Sequence, residues 1–201
     1  GLQNKTVFQY IMTTAYDLTT ASYNSVSLSV NSQDTVPFGI TFNNDGTKLY
    51  IGGQTNDRIF AYNLTTGFDL SSASYSNVSL DISSQDSAIK SILFNSTGTK
   101  LYMFGTTTAS GYQYSLTTAY DISTASYDSS SFDFSSQDGT PQGYAFKSDN
   151  TELFMIGDAT DKVYKYSMIS FVAIAANQMN KTQLDAIPDA NHFTLANDLD
   201  L

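Results

Sequence analysis

Apolar and polar residues alternate with a period of two along much of this chain. Ser25-Val26-Ser27-Leu28-Ser29-Val30 alternates without a break, and Asn77-Val78-Ser79-Leu80-Asp81-Ile82 does so again 52 residues later. Ser130-Ser131-Phe132-Asp133-Phe134 keeps most of the pattern. Period two places Val26, Leu28 and Val30 on one face of a strand and the serines on the other, so this strand has one wet side. Two denser runs, Pro37-Phe38-Gly39-Ile40-Thr41-Phe42 and Lys48-Leu49-Tyr50-Ile51-Gly52, flank Asn43-Asn44-Asp45-Gly46. Asn and Asp tolerate left-handed backbone and Gly adopts it freely, so the four residues predict a hairpin loop between two strands. Arg58 to Leu64 supplies a fourth strand after the turn Thr55-Asn56-Asp57.

The pattern recurs. Tyr10, Tyr62, Tyr114 and Tyr166 lie 52 residues apart. Ser32-Gln33-Asp34 returns as Ser84-Gln85-Asp86 and Ser136-Gln137-Asp138, and Gly46-Thr47-Lys48-Leu49-Tyr50 returns as Gly98-Thr99-Lys100-Leu101-Tyr102. The hairpin becomes Asn95-Ser96-Thr97-Gly98 and then Lys147-Ser148-Asp149-Asn150, where Asn stands for Gly. The Thr/Ser-rich phrase TTAYDLTTASY reads as a connection rather than a strand. Each repeat thus predicts four antiparallel strands with short loops, and a period of this length reads as propeller blades. The predicted fold is all-β: a propeller-like array of about three and a half four-stranded blades over 1–168 with a short tail over 169–201. It divides into a partial blade 1–36 and repeats 37–88, 89–140 and 141–168. Phe171-Val172-Ala173-Ile174-Ala175 predicts a strand in the tail.

PFGITFNNDGTKLYIGG followed by DRIFAYNLTTG resembles the blade signature of YVTN- and NHL-type β-propellers. The resemblance covers Pro37 to Gly67, weakens over Ala88 to Ala119, and holds in part over Pro141 to Tyr166. It departs at the TTAYD phrase, which lengthens the unit, and at Ala88-Ile89-Lys90, where Pro-x-Gly is replaced. The repeats as a whole are similar to those of uncharacterised proteins of aquatic bacteriophages, some linked to virion tails, and of bacterial surfaces. That resemblance implies a virion or surface role.

Composition narrows the partners. The net charge is −10, so clustered Lys and Arg for a phosphate backbone are lacking, and nucleic acid and anionic membranes are not expected as partners. An acidic, Ser/Thr-rich chain suits exposure to the extracellular medium or a virion surface. Cysteine is absent, so disulfides and thiolate chemistry do not arise. No apolar run reaches membrane-spanning length, and membrane insertion is not expected.

Candidate chemistry is sparse. Asp34, Asp86 and Asp138 recur once per blade, as turn carboxylates bonded to backbone amides or as a ring around a cation; the turn role is the expected one. Asp45 sits in a loop resembling half a calcium site, but the copies Ser96-Thr97 and Lys147-Ser148 break the ligand pattern. His192 has no Cys or second His for a metal or triad, and Glu152 is the only Glu. No catalytic residue, metal ligand or cofactor is expected. Tyr16, Tyr23, Tyr75, Tyr120 and Tyr127, set among Ser and Thr, are the candidates for a recognition surface that could stack on sugars; their alternative role is to cover blade edges.

The expected function is therefore non-enzymatic: a structural or attachment module on a virion, such as a phage tail or capsid appendage, or on a cell surface. Its expected partners are other copies of itself, neighbouring virion or surface proteins, and a host glycan. The alternatives are a propeller-fold hydrolase or lactonase, which would show channel-facing acids differing between blades, and a secreted bacterial adhesin. Closed propellers have about four to eight blades. An arc of three and a half is expected to be a segment of a longer polypeptide or to associate with another copy.

Overall fold

A computed structural model describes residues 4–168. The expected tail strand Phe171 to Ala175, and His192, lie outside the described residues. The first sheet pairs β1 (Thr6–Met12) with β2 (Ala21–Ser29). The second has β3 (Pro37–Phe42), β4 (Lys48–Gly53), β5 (Arg58–Leu64) and β6 (Ala73–Asp81) in chain order. The third repeats it with β7 (Ile89–Phe94), β8 (Lys100–Gly105), β9 (Ser110–Leu116) and β10 (Ala125–Asp133). The fourth has β11 (Pro141–Phe146), β12 (Glu152–Gly157) and β13 (Val163–Ser167). Every pairing is antiparallel, and β3, β7 and β11 approach one another at the inner edges of their sheets. The architecture is all-β and propeller-like, as the repeat predicts.

The core lies between sheets rather than within one. Leu49, Ile51, Phe60 and Tyr62 pack with Val30, Val7 and Leu28 of the first sheet. Tyr50, Ile59 and Ala61 pack with Ile89, Ile92, Met103 and Tyr114 of the third. Phe104 and Phe134 meet Leu153 and Met155 of the fourth. Successive residues of β4 therefore bury opposite faces, which is why Leu49-Tyr50-Ile51 reads as continuous rather than alternating.

The TTAYD phrase is more structured than a connection. Asp17, Asp69 and Asp121 each cap a 3₁₀ turn, accepting the amide two residues on at 3.0, 2.9 and 3.0 Å. The outer strand then begins inside the phrase, at Ala21, Ala73 and Ala125. Ser25, Asn77 and Ser129 follow with φ of 61°, 61° and 55°. These left-handed residues sit where the register with the neighbouring strand shifts, and the bulge restores the alternation that buries Val30, Ile82 and Phe134.

The second, third and fourth sheets are each locked to the loop before them by an aspartate. Asp86 is buried and accepts from the amides of Ala88 (2.7 Å), Thr107 (3.4 Å) and Thr108 (2.8 Å) and from the Thr108 hydroxyl (2.7 Å). Asp34 and Asp138 do the same with Val36, Thr55 and Asn56, and with Thr140, Ala159 and Thr160. Burial raises the Asp86 carboxyl, but the bonds from Thr108, Ala88 and Thr107 outweigh it and hold its pKa below the ordinary value. Among the described residues no group of three His, Cys, Asp or Glu is placed to hold a metal ion.

Candidate functional site

The inner strands β3, β7 and β11 end at equivalent residues, Phe42, Phe94 and Phe146, and turn there into the hairpins Asn43–Gly46, Asn95–Gly98 and Lys147–Asn150. The turns form where the sequence predicts, with φ of 72° at Gly46, 70° at Gly98 and 58° at Asn150. Asp45 is occupied by its own loop, accepting from the Thr47 amide at 3.0 Å and hydroxyl at 2.6 Å. The Asn44 amide nitrogen donates to the Ser96 carbonyl at 2.8 Å, tying one hairpin to the next.

Between the three hairpins lies a cavity of about 380 Å³, within the range that holds a small molecule. It is lined by the apolar Phe42, Leu93, Phe94 and Phe146 and by the polar Asn44, Asn95, Ser96, Lys147, Ser148 and Asn150. Lys147 is the cation of the lining. Its ammonium lies 2.9 Å from Asp149, and both side chains are about half exposed. That hydrogen bond raises the Lys147 pKa. The Thr151 hydroxyl, followed by Lys147, pushes the Asp149 carboxyl well below the usual carboxylate range, so it stays ionised as an acceptor. An exposed pair of this kind is weakly held, and an anionic ligand can draw the ammonium away from it.

Of the tyrosines singled out by the sequence, Tyr120 alone borders this cavity. Its ring covers Gly98, its hydroxyl donates to the Ser96 carbonyl at 3.1 Å, and its own carbonyl accepts from the Tyr50 hydroxyl and, at 3.2 Å, from Lys48. Tyr75 packs edge-on to Phe60 and against Tyr62. Tyr127 packs at a tilt against Tyr112 and Tyr114. Tyr23 packs on Phe8 and Tyr10, while Tyr16 is fully exposed. Asn44, Ser96, Lys147 and Asn150 were legible only as turn residues. Their place in equivalent hairpins of the 52-residue repeat, though not at one repeat position, is the signal that groups them.

No family model matches the sequence, and no curated protein matches it either. Solved structures do match. One from Bacteroides uniformis, provisionally named a 6-phosphogluconolactonase, superposes with a TM-score of 0.58 over 84% of this chain and 49% of its own, at 10% identity. One of the same provisional name from Bacteroides fragilis gives 0.57 over 83% and 45%, at 12% identity. A protein from Lactobacillus plantarum gives 0.56 over 83% and 46%, at 15% identity. The chain spans just under half the length of each. At these identities the likeness shows the fold, a β-propeller. The expectation of a non-enzymatic virion or surface attachment module is corrected here: the named neighbours are provisional 6-phosphogluconolactonases, and none is a virion or attachment protein.

Proposed function

We propose that the chain forms part of a propeller-fold hydrolase acting on a lactone that carries an anionic group. The observation that carries this reading is the cavity at the inner hairpins, lined by aromatic rings, side-chain amides and one ammonium, in a fold shared with provisionally named lactonases. A lactone ring fits over the Phe42, Phe94 and Phe146 surface. Lys147 leaves Asp149 to meet the anionic group, which an acidic protein would otherwise repel. The side-chain amide of Asn150, in the same lining, stabilises the oxyanion that forms when water attacks the carbonyl. Asp149, kept ionised outside the lining, holds Lys147 until the anionic group arrives; the attacking water gives its proton to solvent, and the ring oxygen takes one up as the ring C–O bond breaks.

The test is lactone hydrolysis followed by acid release, with phosphorylated and unphosphorylated δ-lactones, against the spontaneous rate. Turnover is expected to favour the phosphorylated ring and to fall at least tenfold in Lys147→Ala, the scale of one charge-assisted contact. Hydrolysis no faster than the buffer blank, in protein whose far-UV signal and melt are intact, overturns the reading.

A further inference from the structure

The hairpin of the fourth sheet makes the same turn as those of the second and third with different residues. The Gly46 amide donates to the Asn43 carbonyl at 3.2 Å, the Gly98 amide to that of Asn95 at 3.0 Å, and the Asn150 amide to that of Lys147 at 2.8 Å. The next bond is also common to all three. The Asn43, Asn95 and Lys147 amides donate to the Lys48, Lys100 and Glu152 carbonyls at 3.1, 3.1 and 3.0 Å. Asp149 accepts from the Thr151 amide and hydroxyl at 3.0 and 2.6 Å, as Asp45 does from those of Thr47. The turn therefore needs neither a lysine at 147 nor an asparagine at 150.

Both changes work against the hairpin. The Asn43 and Asn95 side chains accept from the Lys48 and Lys100 amides at 2.9 and 3.0 Å. A lysine has no acceptor and cannot repeat that bond. Position 150 is left-handed, with φ of 58°, a backbone that glycine adopts freely at 46 and 98 and that asparagine only tolerates. What the two changes share is the cavity. Lys147 and Asn150, which break the repeat, line it, while Asp149 and Thr151, which keep it, do not. The amide nitrogens of the other hairpins are committed to protein partners. Asn44 donates to the Ser96 carbonyl at 2.8 Å, and Asn95 to the Thr97 and Thr99 hydroxyls at 2.9 and 3.2 Å. Among the described residues, the Asn150 amide and the Ser148 hydroxyl, both in the lining, have no such partner.

We infer that the fourth hairpin is the recognition element of the cavity and that the second and third hairpins are its frame. Lys147 and Asn150 determine which ligand is held, the first by an anionic group and the second by a carbonyl oxygen. Ser148, next to Lys147 in the same lining, is a further donor to the anion. A lost side-chain bond and a non-glycine residue in left-handed backbone are local costs of the kind that proteins carry at functional sites. The inference rests on the cavity being the substrate site proposed above, and it concerns binding rather than turnover.

The probe is a phosphorylated δ-lactam, with a ring amide in place of the ester, titrated by calorimetry into the 201-residue chain. Saturable one-to-one binding is expected. Lys147→Asn together with Asn150→Gly restores the residues of the other hairpins. This double variant is expected to bind at least about tenfold more weakly, and to melt at the same temperature or up to about 4 °C higher. Ser148→Ala is expected to weaken binding by about threefold or more, the scale of one hydrogen bond. A merely structural role for Lys147 and Asn150 would instead lower the melt. Absence of saturable binding, a double variant that binds as tightly as the unaltered chain, or one that binds weakly and melts lower overturns the inference. Lactam binding that the double variant loses, in a chain that leaves the phosphorylated lactone unhydrolysed, supports the inference and overturns the hydrolase reading alone.

Discussion

The Tyr62 hydroxyl donates to the Gln33 side-chain oxygen at 2.7 Å, joining a strand of the second sheet to the loop that enters it from the first. Tyr114 and Gln85 repeat the bond at 2.8 Å one sheet further on. Each phenol is buried in the core between two sheets, so its hydroxyl needs the partner that the loop provides. The bond fixes how the loop closes over the sheet junction.

Removing one side of that bond is expected to cost more than removing both. Gln85→Leu leaves the Tyr114 hydroxyl buried without an acceptor, a loss of roughly 1–3 kcal/mol. Adding Tyr114→Phe removes the orphaned group, and the double variant is expected to recover part of that loss. A double-mutant cycle by urea denaturation measures the coupling, and strict additivity would show that the bond has no energetic role.

The Asp86 carboxylate accepts from three amides and a hydroxyl, and an amide side chain cannot replace both of its oxygens. Asp86→Asn turns one acceptor into a donor aimed at backbone N–H groups, and about 2–3 kcal/mol of stability is expected to go. Gly105 lies against the same carboxylate: an added Cβ would sit 2.1 Å from its carbon. Gly105→Ala is therefore expected to be at least as damaging as Asp86→Asn. A chemical melt that ranks Gly105→Ala as neutral would show that the loop yields easily.

The same carboxylates set an acid limit. Asp86 and Asp138 have folded pKa values below the ordinary 3.8, held there against burial by hydrogen bonds. A depressed carboxyl contributes its stability above the unfolded pKa and loses it as pH falls through the folded one. The melting temperature is therefore expected to hold from neutral pH down to about 5 and to drop below about 4. Asp86→Asn is expected to flatten that drop.

The sheets were legible because period-two alternation and an exact repeat both point to four strands per unit, and the NNDG turn names its own backbone. Other features were not, because they join residues distant along the chain. Gly53, Gly105 and Gly157 read as ordinary strand ends, although a buried carboxylate leaves no room there for a side chain. Phe68 and Tyr120 read as loop aromatics, although each ring lies on a glycine 22 positions earlier. The cavity arises only where three hairpins meet. The attachment reading rested on surface composition and on the resemblance of the repeats to virion and surface proteins, and a propeller can carry either whatever it does.

Gly98 combines two constraints that the sequence shows only in part. Its φ of 70° favours glycine, and the Tyr120 ring lies on its α-carbon. Gly98→Val is expected to cost about 2 kcal/mol or more, from backbone strain together with displacement of the ring. In a Tyr120→Ala background the steric part is already gone, so the same substitution is expected to cost less. Equal costs in both backgrounds, read from paired thermal melts, would mean that the ring yields freely.

The alkaline limit follows from the tyrosines at the sheet junctions. Burial pushes the phenols of Tyr50, Tyr62, Tyr114 and Tyr144 well above the ordinary value of 10.0, and Tyr166 up to about 12. A phenol raised in the folded state keeps its proton there and loses it in the unfolded chain. The unfolded state therefore binds fewer protons above about pH 10, and stability falls with rising pH. The contribution is fully present below the unfolded pKa and is lost as pH climbs through the folded values. Melting is expected to be flat between about pH 8 and 9 and to decline steeply above about 10. A near-ultraviolet titration is expected to show the buried set ionising only as the fold is lost. Tyr114→Phe is expected to make the decline shallower, since one displaced pKa is removed. A melt indifferent to pH up to about 11 would show that these rings do not carry the cohesion between sheets assigned to them.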